Sequence, residues 1–222
     1  MKPHESQLAD KVRALPFSHI GQFWAEWERK FGQQGVRELC LVDRFYLVTV
    51  VCGRKDALKP WLYERCREVE ARPDNMLDLW ARFHYKSSFI TFGGTVQEIL
   101  RDAEVTACIF SHTRSDAAKH GAQIKREFET NDTLKSVFPD ILWPDPQKQA
   151  QIWSEDKGIV VRREGNPKEA TLEWHGLIDG MPTGSHYRLR VYDDVVTEKA
   201  VTTPDQVEKA TLPSMVMVAF GM

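Results

Sequence analysis

Lys86, Ser87 and Ser88 are the residues whose types and spacing most clearly could do chemistry. Alternating apolar residues from position 77 onward predict a strand that leads into them, and residues 89–92 could begin a helix. A strand, a short loop ending in Lys-Ser and a helix together form a site for a nucleoside triphosphate. Backbone N–H groups and the helix N-terminus surround the phosphates there, while the lysine neutralises them and the hydroxyl binds Mg²⁺.

Two carboxylates, Asp193 and Asp194, follow a second predicted strand that begins near Tyr187. An acidic residue at the end of a strand is the usual second protein partner of the metal ion in such sites. An acidic pair after a strand also occurs as a solvated turn or a helix N-cap, and this alternative stays open.

The loop before Lys86 departs from the standard phosphate-binding pattern G-x-x-x-x-G-K-[ST]. Lys86 and Ser87 fit the pattern, but Trp80 and Tyr85 occupy its two glycine positions. Glycine is normally used there because the backbone must bend tightly and approach the phosphates without a Cβ in the way. The competing interpretation is therefore an ordinary strand-to-helix turn that happens to carry a lysine.

The composition is that of an ordinary globular protein and excludes few functions. Of the 222 residues, 42% are hydrophobic and 28% charged, and the net charge of −2 gives no global basic signal. Any contact with nucleic acid must therefore come from local basic patches.

Cysteine and histidine usage predicts a reducing compartment and no zinc-type site. The four cysteines show neither a CxxC pair nor metal-type spacing, and the seven histidines are scattered, so we expect buried, reduced thiols. The longest apolar run, residues 39–52, is too short to cross a bilayer.

The order of predicted elements indicates an α/β fold behind a helical N-terminal region. Ser18 could cap a helix over residues 19–31, which Gly32 ends. Residues 36–52 form either a buried helix or a strand, and their length favours a helix. A further helix begins near Pro60. Strands and helices then alternate, which favours a mainly parallel sheet flanked by helices. The predicted helices cover residues 87–100 and 116–130, and the predicted strands 105–111, 158–163, 170–177 and 187–193.

Six short strings occur in an order that is also found in a known family. They are DRFY at 43–46, LWARFHYKS at 79–87, IFSHTR at 109–114, WSED at 153–156, GNPKEA at 165–170 and VYDDVVT at 191–197. On these strings, residues 36–210 resemble the ATPase half of the large terminase subunit of tailed bacteriophages, the motor that packages DNA. One branch of that family is similar in using His-Tyr-Lys-Ser in place of a Gly-rich loop.

The resemblance implies a role for each residue of the site. Lys86 would contact the β- and γ-phosphates, Ser87 and Asp193 would hold Mg²⁺, and Arg82 would stabilise the γ-phosphate in the manner of an arginine finger. Asp194 falls where most such motors carry a glutamate that polarises the attacking water, and it is one methylene shorter. The other loop residues, His84, Tyr85 and Ser88, would line the nucleotide.

The resemblance also implies an overall organisation and a set of partners. The fold would be a P-loop NTPase of the RecA-like (ASCE) type, with a helical region at 1–74, an incomplete ATPase core at 75–210 and an atypical apolar tail at 211–222. ATP and Mg²⁺ would be the cofactors. The partners would be double-stranded DNA, the small terminase subunit and the portal protein. The intact relative would form a homo-oligomeric ring. The protein would bind no membrane and would lie in the bacterial host cytoplasm.

Two further hypotheses stand beside the motor domain. The coupling motif and the nuclease domain of intact large terminases are not visible, so we expect a truncated, prophage-like chain without nuclease activity and with impaired ATPase activity. One alternative is therefore a non-catalytic prophage remnant or interaction module. A helicase fragment is disfavoured because the sequence contains no DExH string.

Overall fold

The computed structural model describes residues 3–71, 77, 79–81, 84–178 and 184–195. The first part of the chain is helical, as predicted, and the second part forms one mixed sheet flanked by helices. The predicted domain boundary after residue 74 and the predicted tail at 211–222 both lie outside the described residues.

The N-terminal helices follow the apolar spacing, although one predicted cap is wrong. The α-helices are α1 (Pro3–Ala14), α2 (Phe17–Val42), α3 (Arg44–Tyr46) and α4 (Pro60–Ala71), with π-helical turns at Leu47–Val51 and a 3₁₀ turn at Lys55–Ala57. The helix α2 begins directly after Pro16, so Ser18 lies inside its first turn and does not cap it. Gly32, with φ of 56° and a non-helical backbone, separates two helical segments within α2, so the helix predicted to end there does end and a second begins beyond the kink.

A continuous helical stretch after Lys86 carries the candidate site and matches the prediction for 87–100. It consists of π-helical turns at Ser87–Gly94 followed by α5 (Thr95–Arg101). We call these two segments together the site helix. The remaining helices are α6 (Arg114–Thr130), α7 (Asp132–Val137) and α8 (Pro146–Gln149).

The sheet is mixed, so the prediction of a mainly parallel sheet is only partly right. Its strands are β1 (Ala107–Ser111), β2 (Trp153–Ser154), β3 (Gly158–Ile159), β4 (Leu172–Gly176) and β5 (Leu189–Tyr192), in the order β2-β3-β4-β1-β5. The strand β1 pairs in parallel with β4 and β5, whereas β3 pairs antiparallel with β2 and β4. The turn of residues 155–157 is far too short for the crossover that a parallel β2–β3 pair would require.

The predicted strand before Lys86 is wrong for the residues that the structure describes. Residues 77 and 79–81 form no strand, and the side chains of Leu77 and Leu79 are 81% and 80% exposed. Alternating apolar residues form a strand only where a sheet offers both a paired edge and a face to bury them. Leu77 and Leu79 are not buried in this way.

One hydrophobic core joins the helical region to the sheet. It includes Leu8 of α1 and Leu39 of α2 together with Ile109 of β1 and Trp174 of β4. The helix α6 packs across this face of the sheet, with Gly121 directly over the Trp174 ring. The sheet face and the helical region therefore pack as one body, which fixes the position of the site helix between them.

All four cysteines are free thiols, and Cys40, Cys66 and Cys108 are buried. Burial raises the pKa of the Cys40 and Cys66 thiols. Within the described residues, every helix is too short or too polar to span a bilayer.

Candidate functional site

The structure brings Lys86 and Asp193 into direct contact, although they are far apart in the sequence. The Lys86 Nζ atom lies 2.7 Å from Asp193 Oδ1 and 3.2 Å from Asp194 Oδ1. Lys86 immediately precedes the site helix, and Asp193 immediately follows β5. The end of β5, the outermost strand on one side of the described sheet, and the start of the site helix therefore meet at one point.

The second oxygen of Asp193 accepts a hydrogen bond from one helix and lies close to a histidine of another. Thr91, in the site helix, donates its hydroxyl hydrogen to Asp193 Oδ2 at 2.8 Å. The His120 Nε2 atom of α6 lies 3.5 Å from the same oxygen. The Asp193 side chain is 1% exposed, so its carboxylate is enclosed by these groups and Lys86.

The first oxygen, Asp193 Oδ1, is buried and faces the Lys86 ammonium at 2.7 Å. An ammonium at this distance is a charge-assisted partner of the carboxylate, so the contact is a buried ion pair. A ligand that binds at Oδ1 must therefore share this oxygen with Lys86 or displace the lysine.

The surroundings of Asp193 and Lys86 favour the ionised form of each side chain. Burial acts to raise the pKa of Asp193, but the Lys86 ammonium and the Ser87 and Thr91 hydroxyls outweigh it and lower this pKa below its usual value. Burial acts to lower the pKa of Lys86, whereas the two aspartates raise it. Asp193 is therefore a carboxylate and Lys86 an ammonium at neutral pH.

Both residues next to this ion pair have left-handed backbone conformations. Tyr85 has φ of 63° and Asp194 has φ of 50°, and among the described residues they alone combine a positive φ with a side chain. Tyr85 occupies the second glycine position of the phosphate-binding pattern, and its backbone adopts the conformation that glycine favours. Strained backbone of this kind concentrates at binding and catalytic sites.

The Tyr85 side chain helps to hold this conformation. Its hydroxyl donates a hydrogen bond of 2.8 Å to Asp56 Oδ2 in the 3₁₀ turn of the helical region. This bond, together with the aspartate charge, raises the pKa of Tyr85. The N-terminal region thereby supports the loop before the site helix.

The remaining predicted site residues are His84, Ser88, Asp194 and Arg82. His84 is exposed and packs edge-on against Trp61, with 5.5 Å between the ring centroids, and Ser88 is partly exposed in the first turn of the site helix. The Asp194 side chain is 86% exposed beside Lys86. Arg82 lies outside the described residues.

Sequence reasoning missed His120 and Thr91. A single histidine on an amphipathic helix gives no signal, since nothing in its spacing relates it to residue 193. Thr91 lies one helical turn after Ser87, so that a helix beginning at Lys86 places both hydroxyls on one face; this spacing was the available signal.

Elsewhere, Thr113 caps α6 by accepting a hydrogen bond from the Asp116 N–H group. The loop 111–114, part of the IFSHTR string, thus has a structural role at the start of that helix.

Comparisons of the chain with protein-family models, with curated proteins and with solved structures found no match.

The residues at the site suit a magnesium–phosphate group. Asp193 Oδ1 is a buried carboxylate oxygen beside the Lys86 ammonium, and Ser87 supplies a hydroxyl at the start of the site helix. In the described residues, no three His, Cys, Asp or Glu side chains are grouped to hold a metal ion. Mg²⁺ in nucleotide sites needs only one or two protein ligands, because phosphate oxygens and water complete its octahedron.

Proposed function

We propose that this chain binds Mg²⁺–ATP between Lys86 and Asp193 and is the ATP-binding motor domain of a phage terminase large subunit. The observation that carries the proposal is the meeting of Lys86 and Asp193 at 2.7 Å. A P-loop NTPase fold is part of this proposal. The left-handed Tyr85 backbone supports it, since it supplies the loop shape for which other phosphate sites use glycine.

Each residue of the site has a task in this proposal. Lys86 contacts the β- and γ-phosphates, Ser87 and Asp193 hold Mg²⁺, and the N–H groups of the first helical turn face the phosphate oxygens. Bound Mg²⁺ neutralises charge on the phosphates during transfer. Asp194, exposed beside Lys86, is positioned to orient the attacking water, and Arg82 is assigned to the γ-phosphate by resemblance alone.

The charges at the site make nucleotide binding dependent on a divalent cation. Among the described residues of the site, Lys86 contributes one positive charge, whereas Asp193 and Asp194 contribute two negative charges. A triphosphate brought to these three residues without a metal ion would meet a net negative charge. We therefore expect ATP without Mg²⁺ to bind far more weakly than ATP with it.

The wider activity is proposed from the resemblance. ATP hydrolysis would drive double-stranded DNA into a capsid, together with a small terminase subunit and a portal protein. Such a motor would act as a ring of copies in the bacterial cytoplasm.

Calorimetric titration with ATP, with and without Mg²⁺, tests the site. The wild-type chain should bind Mg²⁺–ATP, and Lys86→Ala should abolish the binding. Lys148→Ala is the matched control, because Lys148 forms an exposed ion pair with Asp145 on the short helix α8 and should leave affinity unchanged. Unchanged affinity in Lys86→Ala would remove the assignment.

The non-catalytic alternative has one observation in its favour. Lys86 contacts both aspartates, so the cluster is also a self-sufficient ion pair. In that case Mg²⁺–ATP would not raise the melting temperature of the wild-type chain, since only a ligand of the native state stabilises it. Lys86→Ala would then lower the melting temperature without any effect on a ligand.

A further inference from the structure

We propose that Asp56 is a positioning residue for the nucleotide site. Its hydrogen bond to the Tyr85 hydroxyl holds the Tyr85 backbone in the left-handed conformation from which the site helix begins, and thereby directs Lys86. The inference rests on the proposed function, because it concerns the affinity of this same site for a triphosphate. A side-chain hydrogen bond does in this loop what glycine does in the standard phosphate-binding pattern.

The conformation of Tyr85 is one that a tyrosine rarely adopts by itself. Its φ is 63°, at the second glycine position of the pattern. Left-handed backbone is unfavourable for a residue with a bulky side chain, so such a residue persists there only when its surroundings hold it. Glycine would adopt the same conformation without support. The tyrosine therefore needs an anchor that a glycine would not need.

The hydroxyl of Tyr85 ties the loop to a distant part of the chain. It donates a hydrogen bond of 2.8 Å to Asp56 Oδ2, across 29 positions of the sequence. A hydrogen bond with a charged acceptor is roughly twice as strong as one between neutral groups. The bond therefore supplies the kind of anchor that the strained backbone of Tyr85 requires.

The segment that carries Asp56 is itself fixed against the site helix. Asp56 lies in the 3₁₀ turn Lys55–Ala57, in which Ala57 is fully buried. Two residues before Asp56, the Arg54 guanidinium carbon lies 4.7 Å from the centroid of the Phe92 ring in the site helix. The same segment thus contacts the site helix at Phe92 and the residue before its start through Asp56.

The backbone of Tyr85 sets the first turn of the site helix. Its carbonyl oxygen accepts the Phe89 N–H hydrogen at 3.1 Å. Lys86 follows directly, with its ammonium 2.7 Å from Asp193 Oδ1. If Tyr85 left the left-handed conformation, its carbonyl would turn away from Phe89 and Lys86 would leave the loop in another direction. Asp56 therefore acts on the phosphate-binding lysine through Tyr85.

Two measurements test this role. Calorimetry gives the affinity for Mg²⁺–ATP, and amide hydrogen exchange gives the protection of the Phe89 N–H group relative to that of Ile109 in β1. Tyr85→Phe and Asp56→Ala should each weaken the affinity by about fivefold, because both remove the same hydrogen bond. Both should also lower the relative protection of Phe89. Asp56 is exposed, so Asp56→Ala removes no buried packing, and Asp56→Asn, which keeps an acceptor oxygen, should restore most of both values.

Two further variants separate positioning from a general loss of stability. Tyr46→Phe is the matched control, because it removes another tyrosine–carboxylate hydrogen bond, from the Tyr46 hydroxyl to Glu28 Oε1 at 2.7 Å, and should change neither value. In a Tyr85→Gly background, Asp56→Ala should have no further effect on the affinity, since glycine needs no anchor and the two substitutions are coupled.

The outcomes separate this inference from the function on which it rests. If the wild type does not bind Mg²⁺–ATP, the proposed function fails and the inference fails with it. If the wild type binds and the affinity is unchanged in Tyr85→Phe and Asp56→Ala, only the inference is overturned. Weaker affinity with unchanged protection of Phe89 would also overturn it, as would an equally large effect of Asp56→Ala in the Tyr85→Gly background.

Discussion

Two buried aspartates of this protein, Asp43 and Asp193, differ in how their oxygens are used. Both Asp43 oxygens accept hydrogen bonds: Oδ1 from the Tyr46 N–H group and from Arg67, and Oδ2 from the Trp24 indole. Asp193 has one oxygen bonded to Thr91 and one that faces the Lys86 ammonium at 2.7 Å. The Asp43 carboxylate lies within a network of donors from the helical region, whereas the Asp193 carboxylate lies beside a partly exposed lysine and left-handed backbone.

The Asp43 network supports the Asp193 site. Arg67 bridges Asp43 to Glu70, whose other oxygen accepts the Arg44 N–H group, and Arg44 Nε bonds to Gln97 of the site helix. The Arg67 Nε atom is buried without a partner among the described residues, so one donor of the network stays unpaired. Buried hydrogen bonds and ion pairs in the helical region therefore hold the helix that follows Lys86 and carries Ser87 and Thr91.

The sharpest test of the comparison is the same substitution at both aspartates. Asp43→Asn should lower the free energy of unfolding by about 3 kcal/mol. The new amide N–H group would face another donor, either the Trp24 indole N–H or Arg67. The buried Arg67 guanidinium would also lose its partner charge at position 43. Asp193→Asn should lower the free energy of unfolding by only about 1 kcal/mol, since the Lys86 ammonium keeps the exposed Asp194 carboxylate as its partner. Urea unfolding of both variants measures the difference. Equal losses would contradict the distinction.

The next largest effect is expected from one substitution at two glycines. Gly121→Ala should destabilise the protein by about 1–3 kcal/mol, because its Cβ would lie 2.1 Å from Trp174 Cε3 and push α6 off the sheet. Gly21→Ala, in the helical region, should stabilise it by about 0.5–1 kcal/mol, since nothing lies within 4 Å of the added Cβ and alanine favours the helix. Thermal unfolding of both variants measures the effect. A stabilised Gly121→Ala variant would show that α6 is not fixed against β4.

The stability that the partly buried Glu173 carboxylate contributes depends on pH. Burial acts to raise its pKa, but hydrogen bonds with His175, Tyr187 and the Ala170 N–H group lower it below the usual 4.5. A carboxyl with a lowered pKa adds stability that is present above pH 4.5 and is lost as the pH falls through its lowered value. Glu173→Gln should therefore lose less stability on acidification than the wild type, as measured by urea unfolding between neutral and acidic pH. Glu155→Gln, at an exposed position, should follow the wild-type curve.

The smallest effect concerns the strained residue Asp194. Asp194→Gly should stabilise the fold by less than about 1 kcal/mol, because glycine adopts the left-handed conformation without strain while an exposed ion pair with Lys86 is lost. Mg²⁺–ATP should still bind, whereas turnover should fall if Asp194 orients the water. Asp194→Asn tests the charge alone, since asparagine also tolerates this conformation. A clearly destabilised Asp194→Gly variant would show that the side chain, rather than the backbone strain, matters here.

The sequence by itself determined the helices, because their apolar residues recur at helical spacing and each element buries its own face. It determined β1, β4 and β5 in the same way, as short apolar runs between turns. It also singled out Lys86, Ser87, Asp193 and Asp194 as candidates from residue type and local order.

Only the tertiary structure decided what lies beside these residues. The strand predicted before Lys86 failed because alternation cannot state whether a sheet edge is available, and Leu77 and Leu79 are exposed instead. The sheet became mixed because chain reversal between β2 and β3 depends on a short turn. His120 reached Asp193 because α6 packs across the sheet, and contacts between distant segments are set by packing, which no local pattern encodes.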